Sequence, residues 1–170
     1  MVLLKDKWER EVFLSLGSNE GNGIENLFEA RKLISNKAGK LLNASSVYIT
    51  EPWGNDELNV FYNQVVQIST KHNPLILLDI CQRIEKVMGR KEKITLNYEN
   101  RTIDIDMLFY GSELLKKNRL LLPHPHIAKR NFVLKPLAEI AGSFIHPVLK
   151  RSIDELLRLS KDNKKVKKLV

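Results

Sequence analysis

Asp104 and Asp106 are the side chains best suited to chemistry in this 170-residue chain. They interrupt a β-branched and aromatic run, Arg101-Thr-Ile-Asp-Ile-Asp-Met-Leu-Phe-Tyr110, whose composition predicts a buried strand. Strand side chains alternate faces, so the two carboxylates point the same way with Cα atoms about 6.5–7 Å apart. Ile103, Ile105, Met107 and Phe109 are then expected on the opposite face, in a core. Carboxylates that close repel unless a cation lies between them. Hard oxygen ligands suit Mg²⁺, which takes its remaining ligands from water and substrate phosphates. Arg101, just upstream, is placed to pair with such phosphates. The competing reading is an exposed edge strand whose aspartates face water and discourage pairing.

The neighbouring segments carry compatible chemistry. Arg90 to Asn100 is dense in basic groups and leads straight into the acid strand, a juxtaposition that suits a Mg²⁺-polyphosphate ligand. Glu51-Pro-Trp-Gly-Asn-Asp-Glu-Leu-Asn-Val60 is longer than a hairpin needs and carries Trp53, which makes it a candidate substrate loop. The two loops are expected to close together over bound ligands. His124-x-His126 has metal-ligand spacing, but one cysteine and no third nearby ligand argue against structural zinc. The turn Gly17 to Gly23 matches neither the dinucleotide fingerprint nor the phosphate loop, which leaves a plain tight turn.

The elements that must position these residues alternate in kind. Val12–Leu16, Lys40–Thr50 and Phe61–Lys71 are expected strands. The helix after Gly23 places Ile24, Leu27, Phe28, Leu33 and Ile34 on its apolar side. A second helix starts at Asn73-Pro74 and stops at Gly89, with Leu75, Leu78, Cys81, Ile84 and Met88 inward. Ser152 to Glu155 is a capping box for a last short helix. The order β-α-β-β-α-β with C-terminal helical additions predicts an α+β, ferredoxin-like sheet with helices packed on it. A single domain over residues 1–160 is expected, followed by a basic tail, 161–170.

Composition limits the partners. At 43% apolar and 28% charged the chain is ordinary for a globular protein, and no apolar run reaches the roughly 18 residues of a membrane span. The tail holds five lysines and one aspartate, half of the net charge of +8, and is expected to be a solvated, frayed terminus. The remaining charge suits a polyphosphate ligand. Cys81 is the only cysteine, so no internal disulfide forms. With no signal-peptide pattern at the start, a cytoplasmic location and a monomer are expected.

Seven stretches in order carry a resemblance: Phe13-Leu-Ser-Leu-Gly-Ser-Asn19, Glu51-Pro-Trp-Gly54, Phe61-Tyr-Asn63, Gln82-Arg-Ile-Glu85 with Gly89-Arg90, Arg101-Thr-Ile-Asp-Ile-Asp106, Leu122-Pro-His-Pro125 and Arg130-Asn-Phe-Val-Leu134. Together they resemble the 6-hydroxymethyl-7,8-dihydropterin pyrophosphokinases of folate biosynthesis. The resemblance implies transfer of a diphosphoryl group from ATP to the pterin hydroxymethyl, with release of AMP. It implies two Mg²⁺ ions at Asp104 and Asp106, and catalytic roles for these residues with Arg90 and Arg101. Gln82, Met107, Arg119, His124 and Arg130 join Arg90 and Arg101 on the nucleotide side. Phe61 and Phe132 would sandwich the pterin, Asn63 would read its edge, and backbone groups around Thr50 and Trp53 would complete the pocket. The chain departs from the family where many members have a basic residue, an aromatic and Gly-Pro. It has Asn97-Tyr98-Glu99-Asn100 there and Glu92 in place of a loop arginine, so Lys91 or Lys93 would supply less directional charge.

A βαββαβ RNA-binding module would need aromatics in an R-G-F-G-F-V-x-F-like signature, which is missing, so no nucleic-acid partner is expected. An ordinary ATP-dependent kinase would release ADP instead of AMP.

Overall fold

The computed structural model describes residues 9–50, 59–90 and 100–169. The elements in order are β1 (Arg10–Ser18), α1 (Gly23–Lys37), β2 (Lys40–Ala44), β3 (Tyr48–Thr50), β4 (Phe61–Thr70), α2 (Pro74–Val87), β5 (Asp104–Tyr110), β6 (Leu115–Lys117), β7 (Leu120–Leu122), α3 (Asn131–Ala141), α4 (Ile153–Leu159) and β8 (Val166–Lys168). The main sheet runs β5-β1-β4-β3-β8, with β2 also paired to β4, and its pairings are antiparallel. β6 and β7 form a separate hairpin. The fold is therefore mixed α and β on an antiparallel sheet. No helix among the described residues is long and apolar enough to cross a membrane.

Alternation along β1 builds two cores. Val12, Leu14 and Leu16 pack with Leu27, Ala30 and Ile34 of α1 and Leu77, Cys81 and Ile84 of α2. Phe13 points the other way, to Val133, Leu134 and Leu137 of α3 and Ile153 and Leu156 of α4. The sheet is thus covered on both faces, and each fully buried aliphatic side chain contributes about 1.5–3 kcal/mol. Local signals fix the helix starts. Asn73 Oδ1 accepts the N–H groups of Leu75 and Ile76 with Pro74 in the first turn, and the Ser152/Glu155 capping box is present on α4.

Several expectations need correction. The stretch 40–50 is two strands, because Ser45 turns its hydroxyl onto the Val65 N–H at 3.0 Å and Ser46 leaves the ladder to bond Glu139. On α1 the buried stripe is 23, 27, 30 and 34, which leaves Ile24 and Phe28 about half exposed. On α2 it runs through Leu77, Cys81, Ile84 and Glu85, and Leu75 lies outside it. A register shift opposite Phe13/Leu14 makes Leu108 an extra residue in β5. The bulge reverses the side-chain alternation, so Phe109 joins Phe13 and not Ile105 and Met107. The final residues are also more than a solvated terminus. β8 pairs with β3, Val166 is buried, and Leu169 N–H donates to Val47 O at 2.8 Å.

Candidate active site

Register places a line of side chains across one face of the sheet. Asp104 lies opposite Gly17, Gly17 opposite Asn63, Asn63 opposite Tyr48, and Tyr48 opposite Lys168. Directly paired residues share a face, and strands lie about 4.8 Å apart, so Asp104 and Asn63 are about 10 Å apart across β1. Gly17 is the floor between them. A Cβ there would come within 3.3 Å of Asn63 Oδ1, so the absence of a side chain keeps the face open. Asp106 pairs with Ser15 on the same face.

The acid end is built around Asp104. Arg101 Nη1 donates to its Oδ2 at 2.6 Å, and Arg90 Nη1 reaches its Oδ1 at 2.8 Å. Arg90 also pairs with Glu85. Gly89 creates this placement: its φ of +90° ends α2 in a left-handed conformation that favours glycine. Arg90 N–H then donates to Glu85 O at 3.0 Å. Glu85 is buried and accepts the Ile105 N–H at 2.7 Å, which satisfies a donor of β5. Burial pushes the Glu85 carboxyl up to about 7 despite that bond, and Asp104 adds to the shift. Burial opposes the Arg90 charge, but Asp104 and Glu85 raise its pKa overall.

Asp106 is pushed up to about 6, first by burial and then by Asp104, against the pull of Arg130, Arg90 and Arg101. A half-buried carboxylate beside a second one is an acid pair that a divalent cation would relieve. Among the described residues no group of three His, Cys, Asp or Glu side chains forms a closed cage. The donor set therefore fits a hard cation that draws its other ligands from water and substrate, as Mg²⁺ does.

Asn19 ties this end to the adjoining segments. Its Oδ1 accepts the Arg101 N–H and its Nδ2 donates to Asn100 Oδ1, both at 2.7 Å. Its backbone exchanges further bonds with Arg101 and Asn59. His124 is held by its N–H to Leu108 O at 3.0 Å, and its Nδ1 accepts the His126 N–H at 3.3 Å. Burial, then Arg130 and His126, push its pKa down to about 4. The ring is thus neutral at pH 7, and with Nδ1 accepting, Nε2 carries the proton and is a donor.

At the other end, Thr50 lies opposite Phe61 on β3 and β4. Asn63 Nδ2 donates to Thr50 Oγ1 at 2.9 Å, with both residues buried. Phe132 is half-buried at the start of α3, and the Arg130 guanidinium lies 5.7 Å from its ring centroid.

The family model described as 7,8-dihydro-6-hydroxymethylpterin-pyrophosphokinase (HPPK) matches residues 13–142, from within β1 to the end of α3. The chain belongs to this family. It is 40% identical to the folic acid synthesis protein fol1 of Pneumocystis carinii over 84% of this chain, and spans 19% of that protein's length. It is 37% identical to the 2-amino-4-hydroxy-6-hydroxymethyldihydropteridine pyrophosphokinase of Haemophilus influenzae over 91% of this chain and 96% of that one. Its fold is similar to that of a Plasmodium falciparum HPPK-DHPS crystallised with pteroate, with a TM-score of 0.70 at 19% identity, over 93% of this chain and 44% of that one.

The residues expected from the pyrophosphokinase motifs fall into distinct positions. Asp104, Asp106, Arg90 and Arg101 meet at the acid end, and Thr50, Phe61 and Asn63 meet on β3 and β4. Arg119 bonds Asp79 at 2.5 Å and Gln82 at 3.3 Å on the exposed side of α2. Met107 lies on the core face that strand alternation predicts. Its side chain is 4% exposed in the core beneath α1 and α2, because its strand position alternates with Asp106. Trp53 and the substituted positions 92 and 97–99 lie outside the described residues. So does most of the expected pair of closing loops. Sequence reasoning assigned no role to Gly17, Asn19 or Glu85. Glu85 had a signal, a charge on the buried stripe of an amphipathic helix.

Proposed function

We propose that this protein transfers the diphosphoryl group of ATP to the hydroxymethyl group of 6-hydroxymethyl-7,8-dihydropterin, a step of folate biosynthesis, on a ferredoxin-like βαββαβ frame. The hydroxymethyl oxygen bonds to the β-phosphorus and loses its proton to solvent. The bond from that phosphorus to the αβ-bridging oxygen breaks, and AMP leaves with the oxygen. The observation that carries this reading is the line Asp104–Gly17–Asn63. It sets an acid, arginine-rich end about 10 Å from a buried amide, the span from a bicyclic ring edge to phosphates joined to its side arm.

Each group then has a task. Phe61 and Phe132 offer faces to a flat ring, and Asn63 and Thr50 offer fixed donors and acceptors at its edge, with Trp53 joining them. Arg90 and Arg101 pair with the polyphosphate, and neutral His124 donates from Nε2. Arg130 adds positive charge. Gln82 and Arg119 lie toward the nucleoside, and any part for Met107 falls to its main chain. Two Mg²⁺ ions held by Asp104 and Asp106 would neutralise charge on the transferred and leaving phosphates. The rest of the catalysis is positioning and fixed electrostatics. We further propose a cytoplasmic monomer.

Product analysis with ATP, Mg²⁺ and the reduced pterin tests this reading. AMP and a pterin diphosphate are expected. ADP formation, or no pterin-dependent turnover, would overturn it.

A further inference from the structure

Glu139 lies on α3 and gathers donors from two other strand segments. Its carboxylate accepts Ser46 N–H at 3.2 Å and Ser46 Oγ–H at 2.9 Å from the joint between β2 and β3. It accepts the Tyr48 hydroxyl of β3 at 2.8 Å and Lys168 Nζ of β8 at 3.2 Å. One helical turn earlier, Lys135 Nζ donates to Val166 O of β8 at 3.0 Å. α3 therefore clamps β3 and β8, the last two strands on that side of the sheet, through side chains four residues apart on one face.

β3 needs such a clamp. It is three residues long, interrupted upstream at Ser45–Val47, and paired on its outer side only by the three residues of β8. Yet it carries Thr50, and Tyr48 is directly opposite Asn63. Phe132 precedes Glu139 by seven residues, two helical turns and about 10 Å on the same side of α3. The helix that bears one wall of the ring slot is thus fastened by Glu139 to the strand that bears the other.

We propose that Glu139 is a positioning residue that sets the separation between Phe132 and the Thr50/Asn63 wall, and so the fit of a flat heterocycle. The proposal rests on the pterin reading of that slot. Its bonds to Tyr48 and Ser46 are charge-assisted and geometrically fixed. The Lys168 pair is exposed and contributes little. The Glu139 bonds to Ser46, Tyr48 and Lys168 lie at the β3–β8 end of the sheet, further along α3 than Arg130 at the helix start, so its loss should act on one ligand and not the other.

The test compares wild type, Glu139→Ala, Glu139→Gln and Lys168→Met. Calorimetry measures binding of the pterin and of a non-hydrolysable ATP analogue, and amide hydrogen exchange is followed without ligand. Glu139→Ala should weaken pterin binding five-fold or more and leave ATP-analogue binding within two-fold. It should also speed exchange in 48–50 relative to 61–70. Glu139→Gln should recover part of the pterin affinity, and Lys168→Met should resemble wild type. Equal losses for both ligands, or unchanged pterin binding in Glu139→Ala, would overturn the proposal. Wild-type protein that binds no pterin would overturn the reading of the slot instead. The ligand-free exchange comparison would still decide whether Glu139 holds β3.

Discussion

Replacing Asp106 by asparagine should make the ligand-free protein more stable while removing its activity. Burial and the neighbouring Asp104 raise the Asp106 carboxyl from 3.8 to about 6. A raised acid favours the protonated form in the folded state. Its stabilising contribution is therefore complete below about pH 4 and is lost as pH rises through about 6. Above that, a shift of about two units corresponds to at most about 3 kcal/mol of penalty for the ionised side chain. Asparagine keeps the shape without the charge, so Asp106→Asn should gain on the order of 1–3 kcal/mol at pH 8 and close to nothing at pH 4. Urea unfolding in chelator-treated buffer at both values reads this directly. Turnover with Mg²⁺ and both substrates should fall at least about 100-fold, the scale of a lost electrostatic stabiliser. Equal stability of mutant and wild type at pH 8 would refute the account of Asp106 as a strained carboxylate. Full turnover would refute its role as a cation ligand.

Three further perturbations probe the rest of the site. Asn19→Ala removes two 2.7 Å bonds and leaves the part-buried Arg101 N–H without its side-chain acceptor, so unfolding free energy should drop by about 1–3 kcal/mol and turnover should fall with it. A loss under about 1 kcal/mol would show that the clip is solvent-compensated. Gly17→Ala has no left-handed backbone to strain and should leave stability within about 1 kcal/mol of wild type. Its methyl would crowd Asn63 Oδ1, so pterin affinity should fall while nucleotide affinity holds, and a parallel fall of both in calorimetry would contradict the floor assignment. For His124, the folded state favours the neutral ring, so stability is present above the unfolded pKa of about 6.5 and is lost as pH falls toward about 4. His124→Gln should flatten the urea midpoint over that window, and identical pH profiles would count against the lowered pKa.

The parts of this site legible in the sequence were those set by local rules. Asp104 and Asp106 share a face because strand alternation demands it, and Asn73-Pro74 and Ser152/Glu155 start helices through side-chain capping. Register was not legible in advance. That Gly17 faces both Asp104 and Asn63 depends on two independent strand pairings, and a glycine in a run of turn residues gives no hint of it. The bulge at Leu108 sent Phe109 to the second core for the same reason. β8 was masked by its composition: two of its three residues are lysines whose backbone pairs while their side chains stay exposed. Glu139 lies on a rim, where a carboxylate looks like any solvated charge until the chain returns to meet it.

The ligand-free electrostatics follow from who is paired with whom. Both oxygens of Asp104 are taken by arginines, while Asp106 and Glu85 keep raised pKa values because burial outweighs the cations near them. Three carboxyls, two of them raised by burial, share Arg90, Arg101 and Arg130 in a partly buried place, a costly state for their ionised forms unless a further cation is supplied. On the proposed reading, a metal-bound polyphosphate supplies both missing partners: positive charge for the aspartates and anionic oxygens for Arg90 and Arg101. Either component alone meets half of the need. Metal without phosphate would compete with arginines for Asp104, and phosphate without metal would approach two aspartates. The same cluster that lowers the stability of the ligand-free fold would therefore make it selective for the nucleotide as its metal complex.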